Sequence, residues 1–164
     1  EITDALRQGA HDTLLKHGVA PDDIRMAWVP GSFELAAGAQ FMLEKSTYDA
    51  VICLGSVVRG ETPHFEFVCH GTTQGIMDVG LKFSVPVIFG VLTDNDMQQA
   101  RDRSGGRHGN KGVECAVAAL QMAALKQLPF SVGRMIPLIV SSAAFAAEAA
   151  LLAPRASMTV APRF

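Results

Sequence analysis

The sequence predicts an α/β fold in three layers, with helices on both faces of a parallel sheet. Two observations carry that expectation. Short, almost wholly apolar runs, YDAVICL from Tyr48 to Leu54 and VPVIFGVL from Val85 to Leu92, read as strands covered on both faces. These runs alternate with longer segments of helical periodicity, the arrangement that builds right-handed crossovers and a parallel sheet. In such a sheet a ligand binds beyond the carboxyl ends of the strands, so the loops that follow them are where function is sought.

The elements follow in chain order. Ile2, Leu6, Ala10 and Leu14 recur on one face of a first helix, and Gly18 closes it as a C-terminal glycine does. Pro21 and two aspartates make a turn before Ile24 to Val29, IRMAWV, which reads as a strand ending at Pro30-Gly31. Ser32 is placed to cap a second helix whose apolar stripe is Leu35, Ala36, Ala39, Met42 and Leu43. After the strand at Tyr48 to Leu54 comes a polar loop, and Phe65 to Phe83 then reads as a long helix. Asp94 to Arg103 is a short helical piece, Ser104 to Gly112 a glycine-rich loop, and Val113 to Leu125 a helix rich in alanine and methionine. One domain is expected over residues 1–126, with 127–156 a linker or extra apolar segment and 157–164 a short strand that returns to the same domain.

Composition narrows the function classes. The chain has 164 residues, 49% of them hydrophobic, enough for one α/β core. Its formal charge is −2 and its 14 basic residues are scattered, so no basic stripe suits a nucleic-acid backbone. Cys53, Cys69 and Cys115 lie in apolar segments without metal-ligand spacing and read as free thiols in a reducing, cytoplasmic setting. Glu1 to Gly18 is amphipathic rather than a secretory leader, and Met135 to Leu152, interrupted by Pro137 and Glu148, is not expected to span a membrane.

Three polar loops follow strands: Pro30 to Glu34, Ser56 to His64, and Thr93 to Lys111. In the second, Glu61 and Thr62 precede a long helix, whose free backbone N–H groups and positive dipole end suit a phosphate. Arg103 can add a bidentate cationic contact and Lys111 a point charge. Taken alone, such charges are equally the solvated charges of ordinary loops. His64, in the helix's first turn, is placed for proton transfer or for a plain hydrogen bond to its loop. His11, His17, His70 and His108 suit bland roles, and no two histidines share metal-ligand spacing. Phe33 and Phe89 are each, alone, more simply core than ligand platform. No Ser-His-Asp order, Walker loop or dinucleotide fingerprint is present.

Together, however, VPGSFEL (Val29 to Leu35), GSVVRGETPHFEFVC (Gly55 to Cys69), FGVLT (Phe89 to Thr93) and DRSGGRHGNKGVECA (Asp102 to Ala116) resemble, in order and spacing, 6,7-dimethyl-8-ribityllumazine synthase. The resemblance covers roughly Glu1 to Leu125. It implies a flavodoxin-like three-layer α/β/α sandwich around a four-stranded parallel sheet. It also implies condensation of 5-amino-6-(D-ribitylamino)uracil with 3,4-dihydroxy-2-butanone 4-phosphate, without cofactor or metal. By matched position, His64 is the proton-transfer histidine, Glu61 and Thr62 hold the phosphate, Arg103 pairs with it and Lys111 lies close to it. Ser32, Phe33 and Glu34 match the segment contacting the ribityl chain, Ser56, Val57 and Val58 the pyrimidine edge, and Phe89 an aromatic from a neighbouring subunit. A homo-oligomer, pentamer or icosahedral shell, with sites between subunits is implied.

One departure stands out. The family begins with a strand ending in an Arg-Phe-Asn or Arg-Trp type sequence, whose aromatic stacks on the pyrimidine, and the strand is absent ahead of EITDAL. The tail SMTVAPRF ends in Arg163-Phe164, which suggests a circular permutation in which it supplies that strand and Phe164 the stacking ring. The alternative is that Gln127 to Phe164 is an unrelated extension. A member that binds flavin or lumazine without turnover, or that serves as a shell scaffold, is the competing functional reading.

Overall fold

The computed structural model describes residues Glu1–Gln127, and the expectations placed on 128–164, Phe164 and the returned strand at 157–164 included, lie outside them. Helix α1 (Ile2–Lys16) buries Ile2, Leu6, Ala10 and Thr13 along one face, close to the predicted spacing, with Leu6 deepest and Thr13 rather than Leu14 buried in the last turns. It ends where Gly18 adopts φ +87, the left-handed conformation that glycine takes without a Cβ penalty. The Val19 N–H then reaches the Leu14 carbonyl and the Gly18 N–H the Leu15 carbonyl, satisfying the last turn.

A 3-10 turn (Pro21–Asp23) follows, and here an expectation fails. Among the described residues Ile24 to Val29 forms no strand, and its one backbone bond to another backbone group runs from Ile24 N–H back to the Pro21 carbonyl. Nothing among the described residues lies alongside to complete a ladder, and an apolar run without a pairing partner is not a strand. Ser32 is likewise not a helix cap. Ser32–Glu34 forms its own 3-10 turn, and α2 (Leu35–Lys45) starts from it with no side-chain cap.

The sheet is built from β1 (Val51–Val58), α3 (His64–Phe83) and β2 (Val87–Asp94). β1 and β2 pair in parallel with Val51 opposite Val87 and Val58 opposite Asp94. Both strands run further toward their carboxyl ends than the hydrophobic runs suggested, since Gly55 to Val58 and Thr93-Asp94 are ladder rather than loop. Backbone pairing continues through Gly55 and Ser56 of β1 and past Leu92 of β2 because a neighbouring strand is there to accept it. Of the four parallel strands expected, the described residues therefore hold two.

Successive residues of these strands face opposite layers. Cys53 and Val91 pack with Ala39 of α2 and Ile76 and Val79 of α3. Leu92, with Leu54 and Val58 beside it, packs on Ile2 and Leu6 of α1 and on Ala100 of α4 (Met97–Arg103). A small antiparallel hairpin, β3 (Ser104–Gly106) with β4 (Gly109–Asn110), occupies the glycine-rich loop and leads into α5 (Lys111–Gln127). Helix α5 lies so close to α1 that a Cβ on Gly112 would collide with the Leu6 carbonyl oxygen. Asn110 ties that junction, donating to the Ala5 carbonyl at 2.9 Å and accepting from the Gly112 N–H at 2.8 Å. Among the described residues no helix is long and apolar enough to cross a membrane.

Candidate active site

The carboxyl ends of β1 and β2 point the same way because the strands are parallel, and most of the predicted site residues gather around them. Ser56, Val57 and Val58 form the end of β1, opposite Leu92, Thr93 and Asp94. The Ser56 hydroxyl is enclosed and has no partner among the described residues, an open hydrogen-bonding position at the strand end. The Ser32–Glu34 turn leans over β1, with the Ser32 hydroxyl only 2.6 Å from where a Cβ on Gly55 would be. Phe33 lays its ring against Gly71 of α3, at 2.6 Å from a would-be Cβ, yet stays 58% exposed. Its ring thus has one face seated and much of its surface free. Glu34 is exposed at the end of the same turn.

Just past β1, Glu61 and Thr62 lie exposed in the short loop before α3, and His64 is the first residue of that helix, also exposed. A 20-residue helix beginning there directs its N-terminal backbone donors at this loop.

Arg103 and Lys111 are not free loop charges. Both hold Glu114: Arg103 through two nitrogens at 3.2 and 3.4 Å, and Lys111 through Nζ at 3.0 Å. Arg103 also donates to the His108 carbonyl at 3.1 Å. Burial pushes the Glu114 carboxyl up, but Lys111 and Arg103 outweigh it and hold it below the usual carboxylate range. Two cations around one ionised carboxylate leave a net positive group, oriented and one-third exposed. Arg103 also bears on Asp94, the last residue of β2, which is 8% exposed and has one oxygen without a partner among the described residues. Burial raises the Asp94 carboxyl, and Arg103 opposes that rise.

Phe89 is not brought to this end of the sheet within the chain. It pairs with Cys53 and packs half-buried against the α2 and α3 core, roughly 16 Å along the strand from Asp94. An open hollow lined by Leu43, Lys45, Tyr48, Phe83, Val85 and Lys126 sits at the opposite, amino ends of the strands and contains none of the predicted residues. Among the described residues no group of acidic, histidine or cysteine side chains is arranged to hold a metal ion.

Sequence reasoning missed three groups: Arg59, Asp94 and Glu114. Glu114 was within reach, since it stands three residues after Lys111 at the start of a helix, where oppositely charged side chains meet. Asp94 and Arg59 carry no such local signal, because their partners come from other elements.

The chain matches the 6,7-dimethyl-8-ribityllumazine synthase family over residues 1–127. It is similar to proteins named 6,7-dimethyl-8-ribityllumazine synthase from several bacteria. The one from Porphyromonas gingivalis is 54% identical over 127 residues, covering 77% of this chain and 79% of that protein. The one from Parabacteroides distasonis is 56% identical over 121 residues, 74% of this chain and 76% of that protein. The one from Bacteroides fragilis is 51% identical over 121 residues, 74% and 85% of the two chains. With the matched residues spanning every described element, from α1 to α5, the chain belongs to the 6,7-dimethyl-8-ribityllumazine synthase family.

Proposed function

We propose that this chain is a transferase of riboflavin biosynthesis that condenses 5-amino-6-(D-ribitylamino)uracil with 3,4-dihydroxy-2-butanone 4-phosphate to 6,7-dimethyl-8-ribityllumazine, with loss of phosphate and water. The observation that carries it is the family membership, with relatives above 50% identity that bear this enzyme's name. The gathering of Ser32, Phe33, Ser56 to Val58, Glu61, Thr62 and His64 around one end of the sheet supports the roles assigned to them.

In this reading the α3 N-terminus, Glu61 and Thr62 receive the phosphate, and Arg103 with Lys111 supplies cationic charge. The Ser32–Glu34 turn takes the ribityl chain and the end of β1 the pyrimidine edge. His64 moves protons as the amine adds to the ketone and water departs. Amine and ketone are intrinsically reactive, so holding them in register and shuttling protons supplies the acceleration. No cofactor or metal is required.

Oligomerisation belongs to the same proposal. Phe41, Phe67, Met77 and Leu81 are exposed apolar side chains on α2 and α3, which supports burial against another copy. Phe89 enters the reading as a neighbour's contribution to the site. A four-stranded sheet would add Ile24 to Val29 and a further strand, for which 157–164 with Phe164 is the segment offered by this chain.

The test is to mix the full chain with both substrates and follow absorbance and fluorescence of the lumazine product. Product formation is expected, and His64→Ala should lower kcat by about 100-fold or more while altering substrate binding much less. A folded parent that binds lumazine but forms none would reduce the chain to a binder. Unchanged kcat in His64→Ala would remove the proton-transfer assignment.

A further inference from the structure

Arg59 stands one residue past β1 and is held by four separate contacts. Its backbone N–H donates to the Asp94 carbonyl at 2.9 Å, continuing the β1–β2 ladder by one rung. Its Nε donates to Asn95 Oδ1 at 3.0 Å, in the segment after β2. One terminal nitrogen donates to the Glu66 carboxylate in the first turn of α3. The guanidinium carbon lies 4.3 Å from the centre of the Phe65 ring, a cation–π contact in the same turn. Phe65 and Glu66 are the two residues that follow His64.

We propose that Arg59 is a positioning residue, whose fork clamps the first turn of α3 to the carboxyl ends of both strands and so sets where His64 stands. This inference rests on the proposed role of His64. The span between the clamp's ends is otherwise lightly held: Glu61, Thr62, Pro63 and His64 are all exposed, and around Gly60 there is open space. Without Arg59 the first turn of α3 would be tied to the strand ends by that loop, since the helix's packing at Gly71, Gly75, Ile76 and Val79 lies further along it. Stability is not the purpose of the clamp, because Arg59 and Glu66 are each over two-fifths exposed and ion pairs of that kind contribute little. Geometry is: a planar fork with three fixed partners restricts orientation as a lysine's single point charge cannot. The Arg59 guanidinium beside it also holds the Glu66 carboxyl below its usual range, so the pair remains charged through the neutral region.

The test uses the full chain with Arg59→Met, which keeps the apolar stem, Arg59→Lys, which keeps the charge, and Glu66→Gln. Arg59→Met is expected to lower kcat roughly 10- to 100-fold, with a smaller rise in the KM of the phosphate substrate, which the same helix start receives, and little change in melting temperature. Arg59→Lys should recover only part of that loss, and Glu66→Gln should fall between parent and Arg59→Met. The decisive comparison is Arg59→Met in a His64→Ala background, where its effect on kcat should vanish because the residue it orients is gone. A full, additive loss in that background would overturn the clamp while leaving His64 in its role. Parent-like kcat in Arg59→Met beside an impaired His64→Ala would overturn it as well. Parent-like kcat in His64→Ala would remove both readings together. If Arg59→Met does not fold, the same comparison with Glu66→Gln decides, since it loosens only the contact to α3.

Discussion

Two apolar stretches of similar composition meet different fates. Val51–Val58 becomes a strand, each residue paired with its counterpart from Val87 to Asp94, and its alternate side chains feed two cores on opposite faces. Ile24 to Val29, IRMAWV, has the same propensities and joins no ladder among the described residues. Met26 and Trp28 are exposed, the latter by 69%, while Val29 leans on Gly38 of α2. The contrast teaches that β structure belongs to a pair. A sequence can be fit for a strand and still lack the neighbour that makes it one.

The contrast can be attacked from its strongest side first. Leu92→Ala, in the paired region where Leu92 meets Ile2, Leu6 and Ala100, should cost about 2–5 kcal/mol through lost burial and the cavity left behind. Chemical unfolding would read it, and a loss under 1 kcal/mol would mean that the α1 face of the sheet is not the core it looks to be. Amide hydrogen exchange comes next. Amides of β1 should exchange at least about 100-fold more slowly than those from Arg25 to Val29, since only the former must break a ladder to open. Equal protection of the two would reveal a partner for Ile24 to Val29 and would support the four-stranded sheet. The smallest effect is expected from Met26→Ala, within about 0.5 kcal/mol in a melt of the isolated chain. A much larger loss would again point to a covered, paired segment.

The same distinction explains how much of the site was legible. The loop GSVVRGETPH announced itself by packing polar groups and glycines behind a buried strand, and its His64 does open a helix. The four motifs were recognisable because each is local. What stayed hidden was relational. Arg103 and Lys111 read as two free cations, whereas in the fold they embrace one carboxylate, Glu114, and act as a single oriented positive group. Arg59 looked like one more loop charge, yet its three side-chain partners lie 6, 7 and 36 residues away. Phe89 is implied by resemblance as a site aromatic, but the register places it opposite Cys53 in the strand interior, away from this chain's own strand ends.

By itself the sequence determined the alternation of helix and strand, the left-handed stop at Gly18, the apolar faces of α1 and α2, and the family, because periodicity, glycine conformations and motif spacing are written along the chain. Only the tertiary structure decided that β1 and β2 extend past their apolar runs, that Ile24 to Val29 finds no strand partner among the described residues, and that Arg59 joins two strand ends to a helix start. Those outcomes depend on which distant backbone donors and acceptors come within about 3 Å of one another. Linear order does not encode that proximity, and packing creates it.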